Sequence, residues 1–195
     1  MKLSLDLAAA TPREWARTVR SDFPAFLQDH ADCERKASAM AMSFVAKYPD
    51  RVEIIPELIE TGIEELEHFQ QVYSHMQKRG IRLAREIAED PYIKALLALC
   101  HTDPARRFLD RLLLASIIEC RGAERFRLVW ESIEDDPELK EFYHRLWASE
   151  AKHGNLFVKM ALAYFPSDQV FSRLDELNQE EGKIILSLKL RPALH

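Results

Sequence analysis

Glycine is scarce in this chain: five in 195 residues, against abundant Leu, Ala, Glu, Lys and Arg. That balance disfavours turn-rich and strand-rich folds and predicts an all-α protein. Cysteine is scarcer still. Cys33, Cys100 and Cys120 are odd in number and form no Cys-x-x-Cys, which argues against a disulfide framework or a thiolate zinc site and fits a reducing compartment. No apolar run approaches the ~18 residues needed to cross a bilayer. The stretch from Leu3 to Ala10 is short and interrupted by Asp6, so a soluble cytoplasmic protein without a signal peptide is expected. No flavin or nucleotide motif is present either. The length suits a single domain over 1–195 with a sizeable core.

Helix punctuation is plentiful. Thr11-Pro12 reads as the cap of a short helix ending near Arg20, and Ser21 or Asp22 caps a second start at Phe23-Pro24. Core helices are expected over about 23–48, 52–79, 104–134 and 137–164, with a further amphipathic helix over about 168–189. Pro49-Asp50 and Asp135-Asp136-Pro137 break the chain between paired helices, and Gly80 marks a C-terminus. The segment 81–102, with its own Pro91 start and apolar Ile93 to Cys100 stretch, has the length of a long crossover between two helical hairpins. A four-helix bundle with one long connection follows, flanked by a short N-terminal and a C-terminal helix. In the last helix the apolar stripe reads Phe171, Leu174, Leu177, Ile184 and Leu188.

The helical seams contain residues that do not belong in a core. Glu65 and His68 stand three apart on one helix face. With 20 Glu and 7 His, chance supplies roughly 0.7 Glu-x-x-His pairs, and the chain has three. Two of them belong to a repeated pattern. Glu34 precedes Glu65 by 31 residues, Glu119 precedes Glu150 by 31, and an offset of 85 carries Glu34, Glu65 and His68 onto Glu119, Glu150 and His153. The midpoints of both Glu pairs fall on the proline breaks, so each hairpin sets its two glutamates at one level. Glu141/His144 fails the offset and points to the opposite face, as a solvent-exposed pair does.

Four carboxylates and two imidazoles in apolar seams require compensating cations. A Glu from each of two helices plus Glu-x-x-His from each of two others is the di-iron or di-manganese carboxylate pattern of helical bundles. Oxygen-rich ligation with one imidazole per ion suits iron, with manganese as a substitute, better than structural zinc. On that template Glu65 and Glu150 bridge the ions. If the four glutamates bind metal, the net charge of −5 becomes about −1 and says little about partners. Ala37, Ser38, Ala41, Gly62, Ser116, Gly122 and Ala123 lie around the glutamates and serve either a substrate pocket or close helix packing.

The segments Asp29-His30-Ala31-Asp32-Cys33-Glu34-Arg35-Lys36-Ala37, Glu64-Glu65-Leu66-Glu67-His68, Lys78-Arg79-Gly80-Ile81-Arg82-Leu83, Ile118-Glu119-Cys120-Arg121 and Ser149-Glu150-Ala151-Lys152-His153 resemble the tRNA 2-methylthio-N6-isopentenyladenosine hydroxylase family over roughly residues 11–165. The resemblance implies a ferritin-like fold, two non-haem irons held by Glu34, Glu65, His68, Glu119, Glu150 and His153, and O2-dependent hydroxylation of the isopentenyl group on a tRNA adenosine. It further implies tRNA as substrate and an external reductase or ferredoxin as electron donor. Phosphate contacts need cations, and Lys78, Arg79, Arg82 and Arg85, with Arg121, Arg125 and Arg127, are the candidates. Two other readings fit a helical bundle: a ferritin- or rubrerythrin-like iron-oxidising or peroxide-reducing protein, and a metal-free interaction module.

Overall fold

The computed structural model describes residues 5–85 and 89–195. Among these the secondary structure is helical: α1 (Glu14–Ser21), α2 (Phe23–Lys47), α3 (Ile55–Lys78), α4 (Pro91–Ala98), α5 (Pro104–Ser132), α6 (Pro137–Leu162) and α7 (Ser167–Ser187). Contacts group the chain into two compact units, one containing α2 and α3, the other α4 to α7 with the N-terminal residues to Arg17.

The first unit is one hairpin. Asp22 caps α2 by accepting from Ala25 N at 3.1 Å, with Pro24 in the first turn. Here Pro fits because the first helical N–H groups have no intrahelical acceptor to lose. α3 begins at Ile55, three residues later than the expected start at Val52, because Pro56 sets the first turn and residues 52–54 form a turn of their own. The helix ends as expected: Gly80 takes φ +67°, and Gly80 N and Ile81 N donate to Gln77 O and Met76 O at 3.0 Å. A left-handed residue closing two orphan carbonyls is the Schellman arrangement, and glycine adopts it without steric cost. The α2 stripe enters at Phe26 and Leu27 while Phe23 stays half-exposed.

In the second unit, aspartates again start the helices: Asp90 accepts from Tyr92 N and Ile93 N, Asp103 from Arg106 N, and Asp136 from Leu139 N. Thr11 does not cap α1, which begins at Glu14. Its hydroxyl instead donates to Glu124 Oε2 at 2.6 Å and its N–H to Glu124 Oε1 at 3.1 Å.

α7 packs on α4, α5 and α6 through Val170, Leu174, Leu177, Asn178, Glu181, Gly182 and Ile185. The expected stripe through Phe171, Ile184 and Leu188 is thus one step out of phase at both ends. Glu181 also belongs to the buried face, where it meets Arg121. Arg121 Nε and Nη2 donate to Glu181 Oε1 and Oε2 at 2.8 Å each. Nη1 donates to Glu124 Oε2 at 2.5 Å and Nη2 to Ala9 O at 2.8 Å. Tyr92 OH adds a donor to Glu181 Oε1 at 2.9 Å. Burial opposes the charge on Arg121, but the hydrogen bonds and charge of Glu181 outweigh it and hold the guanidinium above its ordinary range. Burial followed by the charge of Glu181 pushes the Tyr92 hydroxyl well up.

Arg125 lies over the Trp15 ring at 4.8 Å, where burial pushes it down to about 10. The N-terminal segment is clasped to the same place: Ala8 N donates to Asn178 Oδ1 and Asn178 Nδ2 to Asp6 O. Both Arg121 and Arg125 are therefore interior residues. α5 is covered within this unit by α6, α7 and residues 5–11, so it has no free face at these positions for a tRNA phosphate.

Removing one member of a buried pair strands the other charge, at about 3–5 kcal/mol. Glu181→Leu is expected to lose that much stability in urea unfolding followed by circular dichroism, and the double variant with Arg121→Leu to lose less than Glu181→Leu alone. A second buried carboxylate sets an acid limit. Burial would raise the Asp110 carboxyl, but Arg173 Nε at 2.8 Å, His101 N at 2.7 Å and His101 Nδ1 at 2.8 Å outweigh it and hold it below its ordinary 3.8. A depressed carboxyl contributes stability above its unfolded value and loses it as pH falls through the folded one. Asp110→Asn is expected to be less stable than the wild type at pH 7 and to lose less stability below about pH 4, as read from melting temperature against pH.

Candidate metal centre

In the first unit, Glu34 on α2 and Glu65 and His68 on α3 converge, each with a donor atom within 4.8 Å of the others. His68 Nδ1 lies 3.8 Å from Glu34 Oε2 and 3.6 Å from Glu65 Oε2. All three are buried, at 4%, 1% and 5% exposure. The convergence follows from the hairpin: residues equally far from the turn meet at one level, and i, i+3 spacing puts Glu65 and His68 on one face. His30, one turn before Glu34 in the same seam, brings Nε2 to 2.5 Å from Glu34 Oε1.

The second unit repeats the cluster. Glu119 on α5 and Glu150 and His153 on α6 are buried, with donor atoms again within 4.8 Å of one another. His153 Nδ1 lies 2.9 Å from Glu150 Oε2 and 3.9 Å from Glu119 Oε2. Each half-site therefore gathers two carboxylates and one imidazole out of water. Carboxylates this close repel one another, and burial removes the solvent that would screen them. A divalent cation relieves both costs, and carboxylate oxygen with imidazole nitrogen is a donor set suited to iron or manganese. The residues present fit such ions.

The third Glu-x-x-His pair has a different fate. Glu141 is exposed, whereas His144 is half-buried, with Trp130 and Trp147 rings at 4.9 and 5.8 Å. Several of the small residues serve helix packing. Ser38 Oγ donates to Gly62 O at 2.7 Å and Ser116 Oγ to Gly154 O at 2.5 Å. A Cβ on Gly62 would meet Met42 Cε at 2.9 Å. Ala123 lines a cavity of about 500 Å³ in the second unit, with Leu7, Cys120, Arg127 and Trp147 among its walls. Of the cationic candidates, Lys78, Arg82 and Arg85 are exposed. Arg79 is half-buried and donates to His75 O at 3.1 Å, and exposed Arg127 lies 3.8 Å from Glu131. The packing roles of Gly154 and the hydrogen bond of His30 have only weak sequence signals, a lone helical glycine and a histidine four residues before a seam glutamate.

Gly154 gives a sharp test of the helix approach beside His153. Glycine inside a helix normally gains about 1 kcal/mol on replacement by alanine. Here the added methyl would overlap Cys120 Sγ, and overpacking typically costs about 1–3 kcal/mol. Gly154→Ala is expected to lower the melting temperature, and Cys120→Ala in the same chain to restore it.

Comparison with known proteins places the chain in a family. The model of the family described as tRNA-(MS[2]IO[6]A)-hydroxylase (MiaE) matches residues 3–195. A tRNA 2-(methylsulfanyl)-N(6)-isopentenyladenosine(37) hydroxylase of Pseudomonas putida is 32% identical over 93% of this chain and 87% of its own. The enzyme of the same name from Salmonella typhimurium is 26% identical over 93% of this chain and 84% of its own. Among solved structures, a protein with aldehyde deformylating oxygenase activity from Synechococcus superposes with a TM-score of 0.88 at 33% identity, covering 95% of this chain and 92% of that one. The fold is the ferritin-like fold of the di-iron oxygenases, as the family resemblance implied. With a match from residue 3 to the last residue and relatives aligned over nine-tenths of its length, the chain belongs to the tRNA-(MS[2]IO[6]A)-hydroxylase (MiaE) family.

Proposed function

We propose that this protein is an O2-dependent di-iron monooxygenase that hydroxylates the isopentenyl side chain of 2-methylthio-N6-isopentenyladenosine in tRNA. The observation that carries this reading is the duplicated buried cluster, Glu34 with Glu65 and His68, and Glu119 with Glu150 and His153, in a chain that belongs to the family along nearly its whole length. The two clusters account for two iron ions per chain, with manganese as a substitute metal. When bound, the iron pair supplies the reduction of O2 and the oxidation of an allylic carbon, chemistry that no side chain performs.

The chain's own residues hold the metals, exclude water and position the substrate. The glutamates neutralise the ions within a buried, low-dielectric setting, and the helix contacts at Ser38/Gly62 and Ser116/Gly154 fix the spacing of the ligand-bearing helices. Exposed Lys78, Arg82, Arg85 and Arg127, with Arg79, offer charge to tRNA phosphates. Electrons come from a separate reductase or ferredoxin in the cytoplasm. Among the described residues no helix is long and apolar enough to cross a membrane. Membership of a tRNA hydroxylase family, with no Cys-x-x-Cys module in the sequence, disfavours an iron-storing or peroxide-reducing role.

Iron-loaded protein, a reducing system and tRNA carrying the isopentenyl nucleoside are expected to yield the hydroxylated nucleoside. With isotopically labelled O2, the added oxygen carries the label in nucleoside mass spectrometry. Unlabelled or unchanged nucleoside would overturn the reading. Glu65→Ala and Glu150→Ala are each expected to reduce turnover by more than the ~10–100-fold typical of losing an outer partner of a metal ligand.

A further inference from the structure

The two half-sites match in their ligands, and among the neighbours that differ is a buried histidine. The offset of 85 that carries Glu34 onto Glu119, Glu65 onto Glu150 and His68 onto His153 carries His30 onto Ala115. His30 is fully buried, with the Phe26 ring centroid 5.9 Å from its own. Its Nε2 reaches Glu34 Oε1 at 2.5 Å. A metal-binding glutamate is an ionised carboxylate and can only accept, so Nε2 carries the proton and donates. The other oxygen, Oε2, is the one on the His68 side, 3.8 Å from His68 Nδ1.

The hydrogen bond thus fixes the rotation of the Glu34 carboxylate, leaves Oε2 toward the cluster, and draws charge from the ligand through a charge-assisted contact. Ala115, equally buried, has no atom with which to do the same for Glu119. An outer partner of this kind sets ligand orientation and basicity.

We propose that His30 is a positioning residue that makes the two metal positions chemically inequivalent, the ion held by Glu34 and His68 being the one whose affinity and electronic environment depend on it. This rests on the dinuclear reading given above.

The test uses the full-length protein, loaded anaerobically with ferrous iron and followed by equilibrium titration and by Mössbauer spectroscopy with 57Fe. In the wild type, two ions per chain with two resolved signals of equal area are expected. In His30→Leu, one ion is expected to bind about 10–100-fold more weakly, its signal shifting or disappearing while the other stays in place. His30→Gln, whose amide donates to the same oxygen, is expected to keep both signals. His30→Asn, too short to reach, is expected to behave like His30→Leu and serves if the leucine variant fails to fold, as judged by metal-free melting.

Unchanged binding and spectra in the donor-lacking variants would overturn the proposal. So would an equal weakening of both ions, the mark of a merely structural role. A wild-type chain that takes up fewer than two ions would instead sink the dinuclear reading itself, and the positioning role with it.

Discussion

Burying like charges is the constraint on which this structure turns. Each helical hairpin commits two glutamates and a histidine to positions where helices of this length ordinarily carry leucine, and closes them off from water. Left to themselves such clusters cost several kcal/mol each in desolvation and repulsion. A fold keeps them only where a cation returns that cost. Stability and chemistry are therefore coupled: the groups that strain the apolar seams form a donor set that fits metal ions.

The surroundings are built to keep those groups in place. Serine hydroxyls bonded to glycine carbonyls draw α2 to α3 and α5 to α6 within a turn or so of the buried glutamates. Cys120 fills the space that Gly154 vacates. Two residues beyond Glu119, Arg121 ties α5 to Glu181 of α7, to Glu124 and to the backbone of Ala9. That pair brings little net stability over an apolar equivalent. Its effect is to specify one docking of α7 and the N-terminal segment against the helix that carries Glu119.

Family membership narrows the chemistry without replacing the physical reading. Oxygen-rich ligation, one histidine per half-site and helical scaffolding are common to oxygenases, oxidases and storage proteins, so the clusters alone leave the class of reaction open. What separates them is the substrate, and here the tRNA hydroxylase relatives align over nearly the whole chain. The internal duplication is also imperfect. His30 stands where the second cluster has Ala115, so the repeated Glu and His pattern has unlike surroundings in its two copies.

Much of this was legible in the sequence because it depends on local rules. Helix starts at Asp22, Pro91, Pro104 and Pro137, the stop at Gly80, and the convergence of Glu34 with Glu65 and of Glu119 with Glu150 follow from capping chemistry, helical period and equal distance from a turn. Other features were decided only in three dimensions. Arg121 and Arg125 read as surface cations and are interior, Thr11 reads as a cap and binds Glu124, and the α7 stripe includes a glutamate. Their partners lie 60 to 114 residues away, and an ion pair between such distant positions leaves no periodic trace. A charged residue reveals its place only when the fold supplies, or withholds, the opposite charge.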